Sequence, residues 1–299
     1  MKKAVTFTIC VGTSACPNHC PNCISEMTGK RDYDTAEMDW KAFDRACQVA
    51  VNYGAENVLF TGKGEPLLFP ELITKYLKRL KKYRECFTRF ELQTSGDGLN
   101  ISLKYFKQWK RLDLDLVAIS AYHHDDVFND EIFRPNAKKI NGLGMRVPVR
   151  TTLSEKIALF KKHGFKVRLS FVMMKGYIDC VDEVKEALKL GKEKDVFQTT
   201  FRALGMPNES RNEQVADFVS NHVLTLGESK AIKEYFDHEG HACDKLPFGG
   251  TIYEINGQNA CLTTCLDQCE NKDELRNLIC FPDGTLATSW EYPIGSAIL

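Results

Sequence analysis

Six short β-type runs alternate with amphipathic stretches along the first two thirds of this 299-residue chain. The runs are AVTFTIC at 4–10, NVLFTG at 57–62, RFELQT at 89–94, DLVAIS at 115–120, KVRLSFVMM at 166–174 and VFQTTFRAL at 196–204. Apolar residues at helical spacing fill Met38–Asn52, Glu71–Tyr83, Ser154–His163 and Val181–Lys192. Strands that alternate with helices form βαβ units on a parallel sheet. Six such units with right-handed crossovers curl the sheet into a barrel or part of one. The expected fold class is therefore α/β, a partial (β/α)6 barrel over residues 1–205. The connection from the fourth run to the fifth is long, and MRVPVRTT within it is a candidate for a small extra strand.

The character changes after Gly205. Residues 206–245 are polar with a helical pattern. Two hairpin signals follow: TIYEI and QNACLTT flank Asn256-Gly257, and LICFP and TLATSW flank Asp283-Gly284. Residues 206–299 are thus expected to form a helical and β-hairpin extension, a small cysteine-rich C-terminal appendage.

Lys and Arg together number 40, and so do Asp and Glu, with no basic block among them. A chain that grips a nucleic-acid backbone carries a positive surplus, so a large RNA or DNA partner is disfavoured. The opening MKKAVTFTICVGTSAC imitates a secretory leader, but its apolar run is short and rich in Thr and Val. It reads better as the first strand. No later apolar stretch is long enough to span a bilayer, and a cytoplasmic location is expected.

Twelve cysteines are many for a chain of this size. Cys16, Cys20 and Cys23 make a C-x3-C-x2-C motif directly after the first strand. Three thiolates on one loop can hold three irons of a cubane and leave the fourth iron without a protein ligand. They can also hold zinc, with a fourth ligand such as His19 or a distant cysteine. Spacing alone leaves both open.

The position of that motif on a chain with six βα units resembles the radical SAM (S-adenosylmethionine) superfamily. Thr61-Gly-Lys-Gly-Glu-Pro66, at the end of the second strand, is similar to that family's Gly-Gly-Glu-Pro segment. Gln93-Thr-Ser-Gly96 is similar to its Thr-Asn-Gly, Val117-Ala-Ile-Ser120 to its strand-four serine segment, and Val167–Gly176 to its fifth strand. The resemblance implies that Cys16, Cys20 and Cys23 hold a [4Fe–4S] cluster. It implies that Gly62, Gly64 and Glu65 meet the methionine part of SAM, and that Thr94, Ser120 and Arg168 are further SAM contacts. The activity implied is reductive cleavage of SAM to methionine and a 5′-deoxyadenosyl radical, which takes hydrogen from a substrate. A flavodoxin or ferredoxin is the kind of reductant implied. One departure stands out: Asn22 occupies the place before the third cysteine where the family commonly has an aromatic residue.

The bland alternatives are strand packing for Thr94 and Ser120, a helix-start carboxylate for Glu65 and a solvated strand start for Arg168. Arg202, at the end of the sixth strand, is either functional or paired to a local carboxylate. His123-His-Asp-Asp126 would face the same mouth, where it contacts substrate or makes a turn and helix cap. Cys261, Cys265, Cys269 and Cys280 are dense enough for an auxiliary iron–sulfur cluster, against a structural zinc or simple burial. Burial is the default for Cys47, Cys86 and Cys180.

Charge balance favours a small-molecule or nucleotide substrate, with a peptide or protein as the alternative. A non-catalytic, zinc-stabilised binding protein is the competing class, and the Gly-x-Gly-Glu-Pro segment argues against it.

Overall fold

The computed structural model describes residues 2–29, 38–97, 101–133, 151–205, 210–263 and 271–290. The six expected strands are present as β1 (Lys3–Cys10), β2 (Asn57–Thr61), β3 (Arg89–Thr94), β4 (Leu116–Ala121), β5 (Lys166–Met173) and β6 (Gln198–Ala203). They lie side by side in that order, and each neighbouring pair is parallel. The connections carry α2 (Trp40–Asn52), α3 (Pro70–Leu80), α4 (Leu103–Arg111), α5 (Asp126–Phe133), α6 (Leu153–Lys162) and α7 (Val181–Glu193). A four-residue helix, α1 (Ile24–Met27), precedes α2. Most of MRVPVRTT lies outside the described residues.

Side chains alternate across each strand, and the alternation sorts the two faces of the sheet. Val167, Leu169, Phe171 and Met173 of β5 join the core beneath the helices, as do Phe90 and Leu92 of β3 and Phe201 of β6. Aromatic contacts knit that layer: Phe43 of α2 and Tyr76 of α3 have ring centroids 5.0 Å apart, and Tyr76 also meets Phe60 of β2. The intervening positions, Glu91, Arg168 and Arg202 among them, therefore face the concave side.

The late segment is more closely joined to the barrel than an appendage would be. After α8 (Glu213–His222) and α9 (Leu226–Glu239) come β7 (His241–Lys245), β8 (Thr251–Ile255) and β9 (Gln258–Thr263). The β8–β9 hairpin turns at Asn256 and Gly257, both at positive φ, as a two-residue hairpin of that type requires. β9 then pairs in parallel with β6. At the other edge β10 (Glu274–Cys280) pairs in parallel with β1, and the two-residue β11 (Leu286–Ala287) folds back on it. Both hairpin signals are real, but each serves to extend one eleven-stranded sheet. The reason is physical: β1 and β6 would otherwise present open edges. The ends of the sheet curl toward each other, because Arg276 of β10 stacks on Phe248, between β7 and β8, at 3.6 Å from the ring centroid. Among the described residues no helix is long and apolar enough to cross a membrane.

Candidate functional site

The C-terminal ends of the parallel strands carry the motif loops, the face on which such folds build sites. Cys16, Cys20 and Cys23 are half-buried on the loop between β1 and α1. The Cys23 amide donates to the Cys20 carbonyl at 3.2 Å, and the Met27 amide to the Cys23 carbonyl at 3.0 Å, so the last cysteine starts the helix. Burial raises the Cys20 thiol well above the ordinary range, and the neighbouring Cys16 and Cys23 raise it further. The three groups thus lie within electrostatic reach of one another. Yet they are not drawn within 4.8 Å of one another as ligands of a single ion would be. Thiolates at about 2.3 Å from one tetrahedral zinc lie roughly 3.8 Å apart. His19, the candidate fourth zinc ligand, is exposed. The donor set fits an iron–sulfur cluster better than zinc.

The loop after β2 locks onto the cysteine loop. The Glu65 amide donates to the Ala15 carbonyl at 2.9 Å, and the Val11 amide to the Thr61 carbonyl at 2.6 Å. A Cβ on Gly64 would sit 2.1 Å from the Ala15 carbonyl oxygen, and one on Gly62 2.8 Å from that of Val11. These glycines are needed for close approach of two backbones. Gly64→Ala is therefore expected to displace the cysteine loop, since overpacking of this kind costs about 1–3 kcal/mol. Iron per chain after anaerobic reconstitution should fall severalfold, while the far-UV spectrum stays that of the wild type.

The structure brings Glu65 and Thr94 into contact. Glu65 is buried at 3% exposure, and each carboxylate oxygen accepts two hydrogen bonds. One takes the Leu67 amide at 2.9 Å and the Thr94 hydroxyl, the other the Ser95 amide at 2.9 Å and the Ser95 hydroxyl at 2.7 Å. Burial raises the Glu65 pKa, and these four bonds oppose the rise. Between the two glycines, Lys63 is buried and donates to Thr28 and, at 2.7 Å, to the Trp290 carbonyl. Desolvation brings its pKa down to about 8.

A buried ion pair continues the wall of the site. Lys156 of α6 lies 2.7 Å from Asp97, which accepts from Asn18 of the cysteine loop at 2.9 Å. Ser120, at the end of β4, lines a small cavity with Asn18, Asp97, Asn129 and Lys156. Next in sequence to Ala121 is Tyr122, which donates to Asn22 at 2.9 Å and also hydrogen-bonds Cys20. Asn22, the departure from the family pattern, is thus the partner of an aromatic residue supplied from strand four.

The His123–Asp126 run proves to be both a turn and a cluster. Asp125 accepts from the Val127 amide at 2.8 Å, at the start of α5. His123 and His124 each place Nε2 2.8 Å from the same Glu183 oxygen. The Asp125 amide donates to His123 Nδ1 at 3.0 Å, which leaves the proton on Nε2. Burial, then His124, lowers the His123 pKa.

Deeper on the concave face, Arg168 is ion-paired to Glu91. Arg202 lies within electrostatic reach of Arg168, Tyr122, Arg276 and Glu91, and burial with Arg168 pulls its pKa down to about 10. It makes no hydrogen bond or ion pair among the described residues, and its Nε is buried without a partner. Cys261 sits beside all three arginines, its thiol pushed up to about 11 by burial. Cys280 lies at the opposite edge of the sheet in the apolar core, with Cys10 and Cys47 near it. Cys265 and Cys269 lie outside the described residues. Cys47 is buried as expected, but Cys86 and Cys180 are exposed. They sit at element ends, Cys180 as the N-cap of α7, rather than on a buried helix face.

Sequence reasoning missed Ser95, Tyr122, Asn18, Lys156 and Arg276. Ser95 directly follows Thr94, and Tyr122 lies between Ser120 and His123, all residues it had singled out.

Residues 10–180 match the family model of the Radical SAM superfamily. A curated relative from Natranaerobius thermophilus, named a probable dual-specificity RNA methyltransferase RlmN, is 26% identical over 222 residues. The match covers 69% of this chain and 54% of that protein, so the chain spans about half its length. Streptococcus suis SuiB, in a crystal structure with precursor peptide SuiA, superposes with a TM-score of 0.62 at 12% identity. That match covers 97% of this chain and 60% of SuiB. The protein anSMEcpe with bound AdoMet gives a TM-score of 0.51 at 19% identity, covering 79% of this chain and 58% of the other. At these identities the likeness to the solved structures is one of fold.

Proposed function

Because the chain belongs to the radical SAM superfamily, we propose that it cleaves SAM reductively at a [4Fe–4S] cluster held by Cys16, Cys20 and Cys23 and acts on a small-molecule or nucleotide substrate. The observation that carries this is the convergence of the cysteine loop, the Gly62–Glu65 loop and Tyr122 on one mouth of the barrel. When bound, the cluster and SAM supply one-electron cleavage of a sulfonium and a carbon radical that takes hydrogen from substrate.

The chain's own residues supply position and shelter. Gly62 and Gly64 keep the second loop low enough for a ligand's methionine end to approach the cysteine loop. Glu65 fixes the Thr94–Gly96 turn beside it and offers a carboxylate toward an ammonium group. Thr94, Ser120 and Arg168 are the further SAM contacts in this proposal. The Asn18–Asp97–Lys156 set braces the wall, and Tyr122 with Asn22 covers the Cys20 thiol from solvent. The neutral charge balance supports a small substrate over an RNA, although the curated relative carries an RNA methyltransferase name. A flavodoxin or ferredoxin is the proposed electron donor.

Anaerobically reconstituted protein, given SAM and dithionite in place of that donor, is expected to release 5′-deoxyadenosine and methionine, read by liquid chromatography and mass spectrometry. Iron-loaded protein that yields neither product would overturn the proposal. Zinc in place of iron would make the chain a scaffold.

A further inference from the structure

Lys63 is a buried cation whose partners carry no charge. It stands between Gly62 and Gly64, in the loop that lies against the cysteine loop, and is 4% exposed. Its ammonium donates to the Thr28 hydroxyl and, at 2.7 Å, to the Trp290 carbonyl, and it lies 5.6 Å from the centre of the Trp290 ring. Among the described residues no carboxylate pairs with it. The surroundings are apolar, since Trp290 packs on the small cluster of Cys10, Ile279, Phe281 and Ala287. A charge held out of water without a counter-charge is costly, so a lysine kept in such a place draws its counter-charge from elsewhere.

Hydrogen bonds fix where that ammonium sits relative to the cysteines. Thr28, its partner, is the C-cap of α1, and its amide and hydroxyl both donate to the Ile24 carbonyl, at 2.9 and 2.7 Å. Cys23 is the N-cap of the same helix. Five steps of about 1.5 Å set Thr28 roughly 7.5 Å along the axis from Cys23. On the backbone side, the Glu65 amide donates to the Ala15 carbonyl, and Gly64 lies against that same oxygen, one residue before Cys16. Lys63 is thus tied to the cysteine loop twice, beside Cys16 through its backbone neighbours and just beyond α1 through its ammonium. A cluster on three thiolates carries net negative charge and gains one more on reduction, and its potential follows the charge around it.

We infer that Lys63 is the fixed counter-charge of the iron–sulfur cluster, stabilising its reduced form and so raising the potential at which it accepts an electron. One electron passes from the donor to the cluster, the donor is oxidised by one electron, and no bond or proton moves. Lys63 changes only the energy of that transfer. The inference rests on the cluster proposed above for Cys16, Cys20 and Cys23. The SAM methionine carboxylate is the rival partner of the same ammonium.

The test is an electron paramagnetic resonance titration of reconstituted, SAM-free protein, poised with dithionite and mediators over a range of potentials. Removing one charge at this range shifts such an equilibrium on the order of tenfold. Lys63→Met and Lys63→Gln should therefore cut the reduced-to-oxidised ratio at fixed potential about tenfold, a midpoint about 59 mV lower. Lys63→Arg, which keeps the charge, should recover most of that shift, and Lys189→Gln, at an exposed position on α7, should cause none. Affinity for SAM, read by calorimetry, should be the same in all of them. Thr28→Asp sets a carboxylate against the ammonium and should lower the midpoint too, which keeps the test decisive where the Lys63 variants do not fold. An unmoved midpoint in iron-replete Lys63→Met or Thr28→Asp, an equal shift in Lys63→Arg, or a loss of SAM affinity in place of the shift would overturn the inference. Wild-type chain that takes up no iron and sulfide would instead overturn the proposed function on which it rests.

Discussion

Alanine in place of Cys20 is expected to abolish iron–sulfide incorporation and reduce SAM cleavage to background, while circular dichroism and Tm remain near wild type. The thiol lies on the loop between β1 and α1, half-buried at the margin of the small Tyr122–Met174 cluster and outside the main core under the helices. A zinc-stabilised scaffold would behave differently: the same substitution would unfold it. Iron and acid-labile sulfide per chain, measured beside Tm, separate the two. The charge state adds a pH dependence with a definite sign. Burial and the two neighbouring thiols raise the Cys20 pKa above its ordinary value near 9.0, so the group is a neutral thiol at pH 7. Ligation needs the thiolate. Reconstitution should therefore run faster at pH 8.5 than at pH 6.5. For the same reason the cluster-free protein keeps this group's stabilising contribution below pH 9 and loses it as pH rises through the elevated value.

The second large effect is expected at Glu65, and it is one of stability. Removing the carboxylate strands four donors: the amides of Leu67 and Ser95 and the hydroxyls of Thr94 and Ser95. The hydroxyls can turn elsewhere; the amides cannot. A buried unsatisfied donor costs about 1–3 kcal/mol, so Glu65→Ala should lose roughly 3 kcal/mol. For a chain of this size that is a fall in Tm of about 6–12 °C. Glu65→Gln should rescue little, because one amide faces each oxygen and the new NH2 would oppose one of them. A Gln variant as stable as wild type would show that the carboxylate does not clamp the two loops together. Burial raises the Glu65 pKa, so the titration of this group favours the fold most in acid, and that advantage declines as pH rises from the ordinary value of 4.5 through the raised one.

The strands were legible in the sequence because their residues are buried under helices, where β-branched and aromatic runs have little alternative. All six begin and end within about two residues of the expected limits, the usual scatter of such boundaries. The cysteine and glycine motifs were legible because their spacing is local. What could not be read was partnership across distance. Nothing near position 202 announces that Arg168 and Arg276 converge on it. Nothing near 22 says that Tyr122 will lie against it. The hairpins at 251–263 and 278–287 were visible as turns, yet their docking on opposite edges of one sheet depends on which edges the first six strands leave open. Cys261 and Cys280 look clustered in sequence and lie on different edges in the fold for that same reason.

The pairing of β10 with β1 bears on how this chain comes to life on the ribosome. Thr8 and Asn277 touch across a separation of 269 residues, so the strand that leads into the cysteine loop gains its second neighbour only after that length of chain has followed it. Contacts of such long range close slowly. At a translation rate of about 5–20 residues per second, the nascent strand waits some tens of seconds with one edge open. Throughout that interval the cysteine loop lacks the support of the completed sheet, so cluster loading is expected to follow this pairing rather than precede it. Slow growth in low oxygen, with iron–sulfur assembly factors supplied in excess, is the production regime that follows.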